Sequence, residues 1–321
     1  MILKGLGSRG WLLIALGVAI LVLIVLPPIL PTFIVILLTQ SLIYGIVAMS
    51  LDLLVGYTKM PSLGHGAYFA IGAYTAAILA TRYNCGFGVC LLSGVGMAAG
   101  AAAVFGFLAL RAAGVYFLLI TLAVAMCVWG IIYQWMSMTG GENGISGINR
   151  PDLGLPVDLL DHVYFHYFIL AVFIISLVLI FLLVRSPFGR TLVGIRDSES
   201  RMKVLGYNVW LHKHLAFIIA GAFAGLGGVL FAYFNRFVGP DEADLAQCLE
   251  FLLMVSIGGR GTLFGAGIGA FLITFLRNLV SVYTERWLMI MAFVYVINAK
   301  YAPEGVMGFA KRFKMRVEVA V

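Results

Sequence analysis

The sequence predicts an all-α polytopic membrane protein with about ten transmembrane segments, broken helices among them, arranged as two pseudo-repeated halves. Three observations predict this. Charged residues make up only 11% of the 321 residues while 62% are hydrophobic, whereas an ordinary soluble domain is about one quarter charged. Twenty-one basic and 14 acidic side chains cannot coat a water-facing exterior of this size. Apolar stretches of about 20 residues, enough helix at 1.5 Å per residue to cross a bilayer, recur between short polar joints. Glycine-rich interruptions divide two of the apolar regions. A β-barrel would need segments of about ten residues alternating apolar and polar, but 12–26 and 168–184 are apolar on every face.

In chain order, the expected segments are 11–30, 32–56, 61–82, 86–110, 114–136, 164–184, 215–237, 249–259, 263–282 and 286–302. They leave no soluble domain, so residues 1–321 read as a single transmembrane domain. Lys4 and Arg9 ahead of the first segment resemble a signal peptide, yet Pro27, Pro28 and Pro31 stand where a small-residue cleavage site would. A retained first helix is expected. The loop 185–214 carries Arg185, Arg190, Arg196, Arg201, Lys203 and Lys213, and the tail carries Lys311, Arg312, Lys314 and Arg316. The positive-inside rule places both in the cytoplasm, and the net charge of +7 is read this way rather than as a nucleic-acid footprint.

Glu142, Asp152, Asp158 and Asp161 mark loop 137–163 as external, and Asp241, Glu242 and Asp244 do the same for the joint at 238–248. With the N-terminus inside, six crossings return the chain to the cytoplasm at 185. A cytoplasmic C-terminus then requires 249–282 to be two pieces, broken at Gly258-Gly259-Arg260-Gly261. Gly64-His65-Gly66-Ala67-Tyr68-Phe69-Ala70-Ile71-Gly72-Ala73 aligns without a gap with Gly259-Arg260-Gly261-Thr262-Leu263-Phe264-Gly265-Ala266-Gly267-Ile268, suggesting parallel repeats. Close helix packing through small residues would give a similar pattern.

Catalysis finds little support: the segments hold no HExxH, no G-x-S-x-G and no clustered carboxylate pair. His162 and His166 beside Asp161 have a spacing that suits a metal, though polar residues at a helix edge are the plainer reading, and His65 reads as a packed, hydrogen-bonded side chain. No metal ligand set is expected. Cys85 and Cys90 flank a glycine turn and leave a disulfide open. Without a P-loop, any ATP must bind a partner.

Residues 192–206 offer that partner a place. Asp197–Arg201 and Glu199–Lys203 are i, i+4 pairs with the acid first, each worth about 0.2–0.5 kcal/mol. They predict one short helix whose apolar residues Leu192, Ile195, Met202 and Leu205 enter a groove, with Gly206 ending it. An amphipathic loop on the lipid headgroups is the alternative. The breaks containing Ser62, Gly64, His65 and Gly66, and Gly258, Gly259 and Gly261, are candidates for a translocation path. Helix ends freed at a break present unpaired N–H groups to a carboxylate in transit.

Leu53-Leu54-Val55-Gly56-Tyr57 with Ser62 through Tyr74, Thr139-Gly140-Gly141-Glu142-Asn143-Gly144, Ile195-Arg196-Asp197-Ser198-Glu199 through Ala216-Phe217, and Leu253 through Gly259 with Gly261-Thr262-Leu263-Phe264-Gly265 occur in one order along the chain. In these motifs the sequence resembles the permease subunits of branched-chain amino-acid ATP-binding-cassette (ABC) importers, in particular the longer, LivM-type subunit. The resemblance implies a non-enzymatic, multi-pass subunit of the bacterial inner membrane that moves leucine, isoleucine and valine inward. It also implies a second, homologous permease, two ATPase subunits that bind ATP and Mg, and a periplasmic amino-acid-binding protein; no cofactor belongs to this chain. Its coupling loop would comprise Ile195, Arg196, Asp197, Glu199, Arg201, Leu205 and Gly206. Asp52, where the family usually has Asn, and Lys59-Met60-Pro61, where it has a Gly-rich pair, depart from the pattern and leave urea or a short amide open as solute. A passive channel is a further alternative.

Overall fold

The computed structural model describes residues 23–150, 160–284, 286–301 and 305–308. Most of the expected first segment, Asp152, Asp158 and the four tail cations lie outside the described residues. The helices are α1 (Thr32–Thr58), α2 (His65–Arg82), α3 (Phe87–Ala109), α4 (Val115–Gln134), α5 (Met136–Thr139), α6 (His162–Arg185), α7 (Pro187–Asp197), α8 (Glu199–Val204), α9 (Val209–Asn235), α10 (Leu245–Gly258), α11 (Leu263–Tyr283) and α12 (Trp287–Tyr301). Among the described residues, α1, α3, α4, α6, α9 and α11 are long and apolar enough to cross a membrane. The chain is thus a polytopic all-α membrane protein.

α1 lies at the centre, buried along most of its length, and α9 packs beside it against α2 and α3. α3, α4 and α6 present mostly exposed apolar faces, as a bilayer requires. The α2–α3–α9 contact runs through small residues: a side chain on Gly72 would overlap the backbone of Gly225, while Gly225 and Gly221 face Ala98 and Ala102. Backbones that approach this closely gain dispersion contacts, which drive helix association where the hydrophobic effect is absent. The rings of Tyr44, Phe69, Phe231 and Phe251 close the centre, with neighbouring centroids 5.3–6.1 Å apart, tying α1, α2, α9 and α10 together.

Two short strands, β1 (Ile145–Ser146) and β2 (Phe237–Val238), pair antiparallel and join the loop after α5 to the end of α9. A 3₁₀ turn at Pro240–Ala243 leads into α10, whose first N–H is capped by Asp244 Oδ1 at 2.6 Å. At 14 residues α10 is about 21 Å long, shorter than the roughly 30 Å hydrocarbon core. Its start abuts the start of α2: a Cβ on Gly66 would sit 2.6 Å from Cys248 Sγ. The chain after β2 therefore folds back toward the bundle before α10 begins.

Several boundaries differ from expectation. α2 opens at His65 rather than 61, because the N–H groups of Leu63 and Gly64 are taken by Thr121 Oγ1 and Ser62 Oγ instead of a helical turn. α9 begins at Val209 rather than 215, because Asn208 Oδ1 caps the Leu211 N–H at 3.0 Å and carries the helix through His212, Lys213 and His214. α10 opens at Leu245 rather than 249. The aligned glycines of the sequence repeat occupy different helix positions, since Gly64 caps α2 while Gly259 terminates α10 and a helix resumes only at Leu263. Cys85 and Cys90 are both free.

Candidate functional site

The first break follows α1. Lys59, at φ 53°, ends the helix with its N–H returning to the Leu54 carbonyl, and Met60 N–H donates to the same oxygen at 3.0 Å. Beyond it the chain is tied down on each side. Leu63 N–H donates to Thr121 Oγ1 on α4 at 3.1 Å, and Gly64 N–H to Ser62 Oγ at 3.1 Å. Ser62 and His65 are fully buried; both ring nitrogens of His65 lack a partner, and its ring stands edge-on to Tyr68, with centroids 6.1 Å apart. The hydrogen-bonded His65 expected from the sequence is therefore a packed but unpaired one.

The second break separates α10 from α11 where the sequence placed it. Gly259 and Gly261 have φ of 114° and 75°, a region that L side chains rarely adopt, and Thr262 Oγ1 donates to the Gly259 carbonyl at 2.6 Å. The freed Gly261 N–H donates to Asp52 Oδ1 on α1 at 2.7 Å, while Asp52 Oδ2 has no partner. Gly56, one turn after Asp52, lies so close to Gly261 that a Cβ there would overlap the Gly261 backbone. Arg196 Nη1 on α7 donates to the Gly56 carbonyl at 3.1 Å. One turn of α1 thus holds the second break on one side and α7 on the other.

These parts line an open cavity of about 730 Å³. Lys59 and Pro61 from the first break, Arg260 from the second, Arg196 and Asp197 from α7, and Leu252 and Tyr295 from α10 and α12 form its wall. Three cations against one carboxylate favour a carboxylate-bearing solute at this mouth.

The predicted site residues divide. Arg196 and Asp197 line the cavity, and Gly261 meets its wall at Gly56. Gly258 is buried where α10 crosses α11, its Cβ position occupied by the Gly265 carbonyl. Ser62, Gly64, His65 and Gly66 are enclosed by their neighbours; from the first break only Lys59 and Pro61 reach the cavity.

The coupling segment needs a correction: 192–206 form two helices, not one. Ser198 leaves the helical region at φ −162° and its Oγ caps the Arg201 N–H at 3.3 Å. The turn dissolves both expected pairs; Asp197 meets Arg196 at 3.1 Å and Glu199 meets Lys213 on α9. Leu192, Ile195 and Met202 face inward, with Ile195, Met202 and Val209 forming a small core of their own. Val204, Leu205 and Tyr207 are exposed apolar residues here, beside exposed Glu199, Arg201 and Gly206. Gly206 ends α8 at φ 85°, as expected.

Sequence reading missed an ion pair within the membrane segments: Arg277 Nη1 on α11 lies 2.8 Å from Glu250 Oε2 on α10, and the guanidinium stacks on Trp287 at 4.9 Å. The available signal was one charge of each sign in consecutive apolar segments, where isolated charge is costly. Among the described residues no three His, Cys, Asp or Glu converge. His162 Nδ1 lies 3.1 Å from Arg150 Nη2 and His166 Nδ1 2.9 Å from Thr39 Oγ1, so the two histidines serve separate contacts.

Comparison with known proteins bears on this arrangement. The family model for the branched-chain amino acid transport system permease component matches residues 33–299. The chain is 33% identical over 291 residues to the high-affinity branched-chain amino acid transport system permease protein LivM of Escherichia coli K12, covering 84% of this chain and 68% of that one. The LivM of Salmonella typhimurium LT2 gives 32% over 292 residues with the same coverage. A probable branched-chain amino acid transport permease protein LivH of Methanocaldococcus jannaschii is 26% identical, covering 77% of this chain and 81% of its own. No solved structure matches the chain significantly.

Proposed function

The chain belongs to the branched-chain amino acid transport permease family, and from that premise we propose that it is one of two permease subunits of an ABC importer carrying leucine, isoleucine and valine into the cytoplasm. It is a membrane subunit and not itself an enzyme; ATP and Mg are held by two partner ATPases, and a periplasmic binding protein delivers the solute. The chain makes about ten crossings of a bacterial inner membrane in two pseudo-repeated halves, with both termini and the α7–α8 segment in the cytoplasm. Loop 185–214 carries the charge bias that supports this orientation.

The observation that carries the mechanism is the bond from Arg196 to the Gly56 carbonyl. An ATPase pressing on the exposed tip at Val204, Leu205 and Tyr207 would move α7. α7 acts on the last turn of α1, and that turn grips the second break through Asp52 and Gly56. Because Gly259 and Gly261 already occupy positive φ, the break can change its backbone angles at little steric cost. A displacement at α7 would then alter the width of the cavity mouth between Arg260 and Lys59.

The test is uptake of labelled leucine into proteoliposomes holding this chain with its partner permease, ATPases and binding protein, with and without ATP. ATP-dependent uptake competed by isoleucine and valine is expected. Uptake indifferent to ATP would instead describe a passive channel, and ATP-driven uptake of urea or a short amide alone would keep the architecture and replace the solute.

A further inference from the structure

The second break is also held from a side that α1 and α7 do not reach. Ser256, in the last turn of α10, is buried. Its Oγ accepts two hydrogen bonds, one from Asn298 Nδ2 on α12 at 3.0 Å and one from Arg260 Nη2 at 3.3 Å. A single oxygen thus ties α12 to α10 and fixes the cation that the break presents to the open cavity. Beyond α12, Gly305 is buried at φ 64° against the break itself: a Cβ there would lie 2.5 Å from the Gly259 nitrogen and 2.7 Å from the Ile257 carbonyl oxygen. Only glycine suits both that φ and that spacing.

The two holds on the break are set in elements of unequal firmness. α1 is enclosed by α6, α9, α10 and α11. α12 packs chiefly on α10 and α11 and leaves Met289, Phe293 and Val296 exposed. A displacement of the break is therefore taken up on the α12 side, where fewer contacts resist it. Tyr295, one turn before Asn298, faces the open cavity along with Leu252 of α10 and Arg260, so separating α12 from the end of α10 widens that cavity.

We infer that Asn298 and Gly305 are positioning residues for the hinge, holding the second break and Arg260 in the arrangement seen here and parting from Ser256 and Gly259 in each transport cycle. The inference rests on the hinge reading above and names the contact at which the hinge lets go. Ser256 keeps Arg260 drawn back on its own helix end until then.

The experiment uses the complete assembly in proteoliposomes, with Cys85, Cys90, Cys127 and Cys248 of this chain changed to Ala. Ser256→Cys with Asn298→Cys places two thiols where the hydrogen bond stands, and their disulfide is scored by mass spectrometry. Oxidation should lower ATP-driven leucine uptake about tenfold, as expected when a hinge is fixed, and dithiothreitol should restore it. A contact that serves stability alone would be unharmed by the bridge, so uptake by the oxidised assembly at the reduced rate overturns the release and leaves α12 moving with the break. As a second measurement, Asn298→Ala should raise ATP hydrolysed per leucine imported about threefold, the factor for one lost neutral hydrogen bond; an unchanged ratio overturns Asn298 as a positioning residue. An assembly of the unaltered chain without ATP-driven leucine uptake overturns the transport reading on which the inference rests.

Discussion

The two glycine breaks look alike in sequence and are held in opposite ways. The first is fastened by Thr121 on α4, by Ser62 and by the close approach of Cys248 to Gly66, and Ser62, Gly64, His65 and Gly66 are buried while Lys59 and Pro61 reach the cavity. The second is tied to one turn of α1 by the Gly261–Asp52 hydrogen bond and the close approach of Gly56, keeps two glycines at positive φ, and exposes Arg260 to a cavity. Glycine density marks where a helix stops; the surrounding contacts decide whether the stop is an anchor or a hinge. On the mechanism proposed above, the first break is the anchor and the second the hinge.

This contrast can be broken at several points. Arg196→Glu with Arg201→Glu should abolish ATP-driven uptake while membrane insertion persists, since the first reverses the charge that binds Gly56 and the second reverses an exposed charge at the α8 tip; normal uptake in the double variant would remove α7–α8 from the drive. Gly56→Ala inserts a Cβ into the Gly261 backbone and should cost about 1–3 kcal/mol, the range for overpacking, lowering thermal stability in detergent and uptake together. Asp52→Ala strands the Gly261 N–H and should cost about 1–3 kcal/mol. Asp52→Asn keeps an acceptor there, so thermal unfolding should separate the two variants. His65→Phe replaces a ring that makes no hydrogen bond and should cost under about 1.5 kcal/mol, leaving uptake near the parental rate. A His65→Phe chain that folds but does not transport would make the first break mobile too and end the distinction.

The interrupted helices were legible because glycine clusters in apolar runs have a local cause: no side chain at 258, 259 or 261 stabilises a continued helix. The same reasoning failed at 192–206. The pairs Asp197–Arg201 and Glu199–Lys203 assume a continuous helix, and Ser198 capped a new one instead, while Lys213, 14 residues downstream, captured Glu199. Nor did helical spacing reveal that Leu192 and Ile195 face inward, because an apolar stripe does not say which body covers it.

By itself the sequence determined the solvent, the helical class, the positions of both breaks and the family, because each follows from composition or from short runs of residues. Only the tertiary structure decided that Asp52 meets Gly261 across 209 positions, that Arg196 reaches Gly56 across 140, and that Glu250 pairs with Arg277. Contacts at such separations depend on how helices cross, and crossings are set by which small residues permit close approach, as Gly72 and Gly225 do here. Local patterns carry no record of that choice, which the packed bundle makes as a whole.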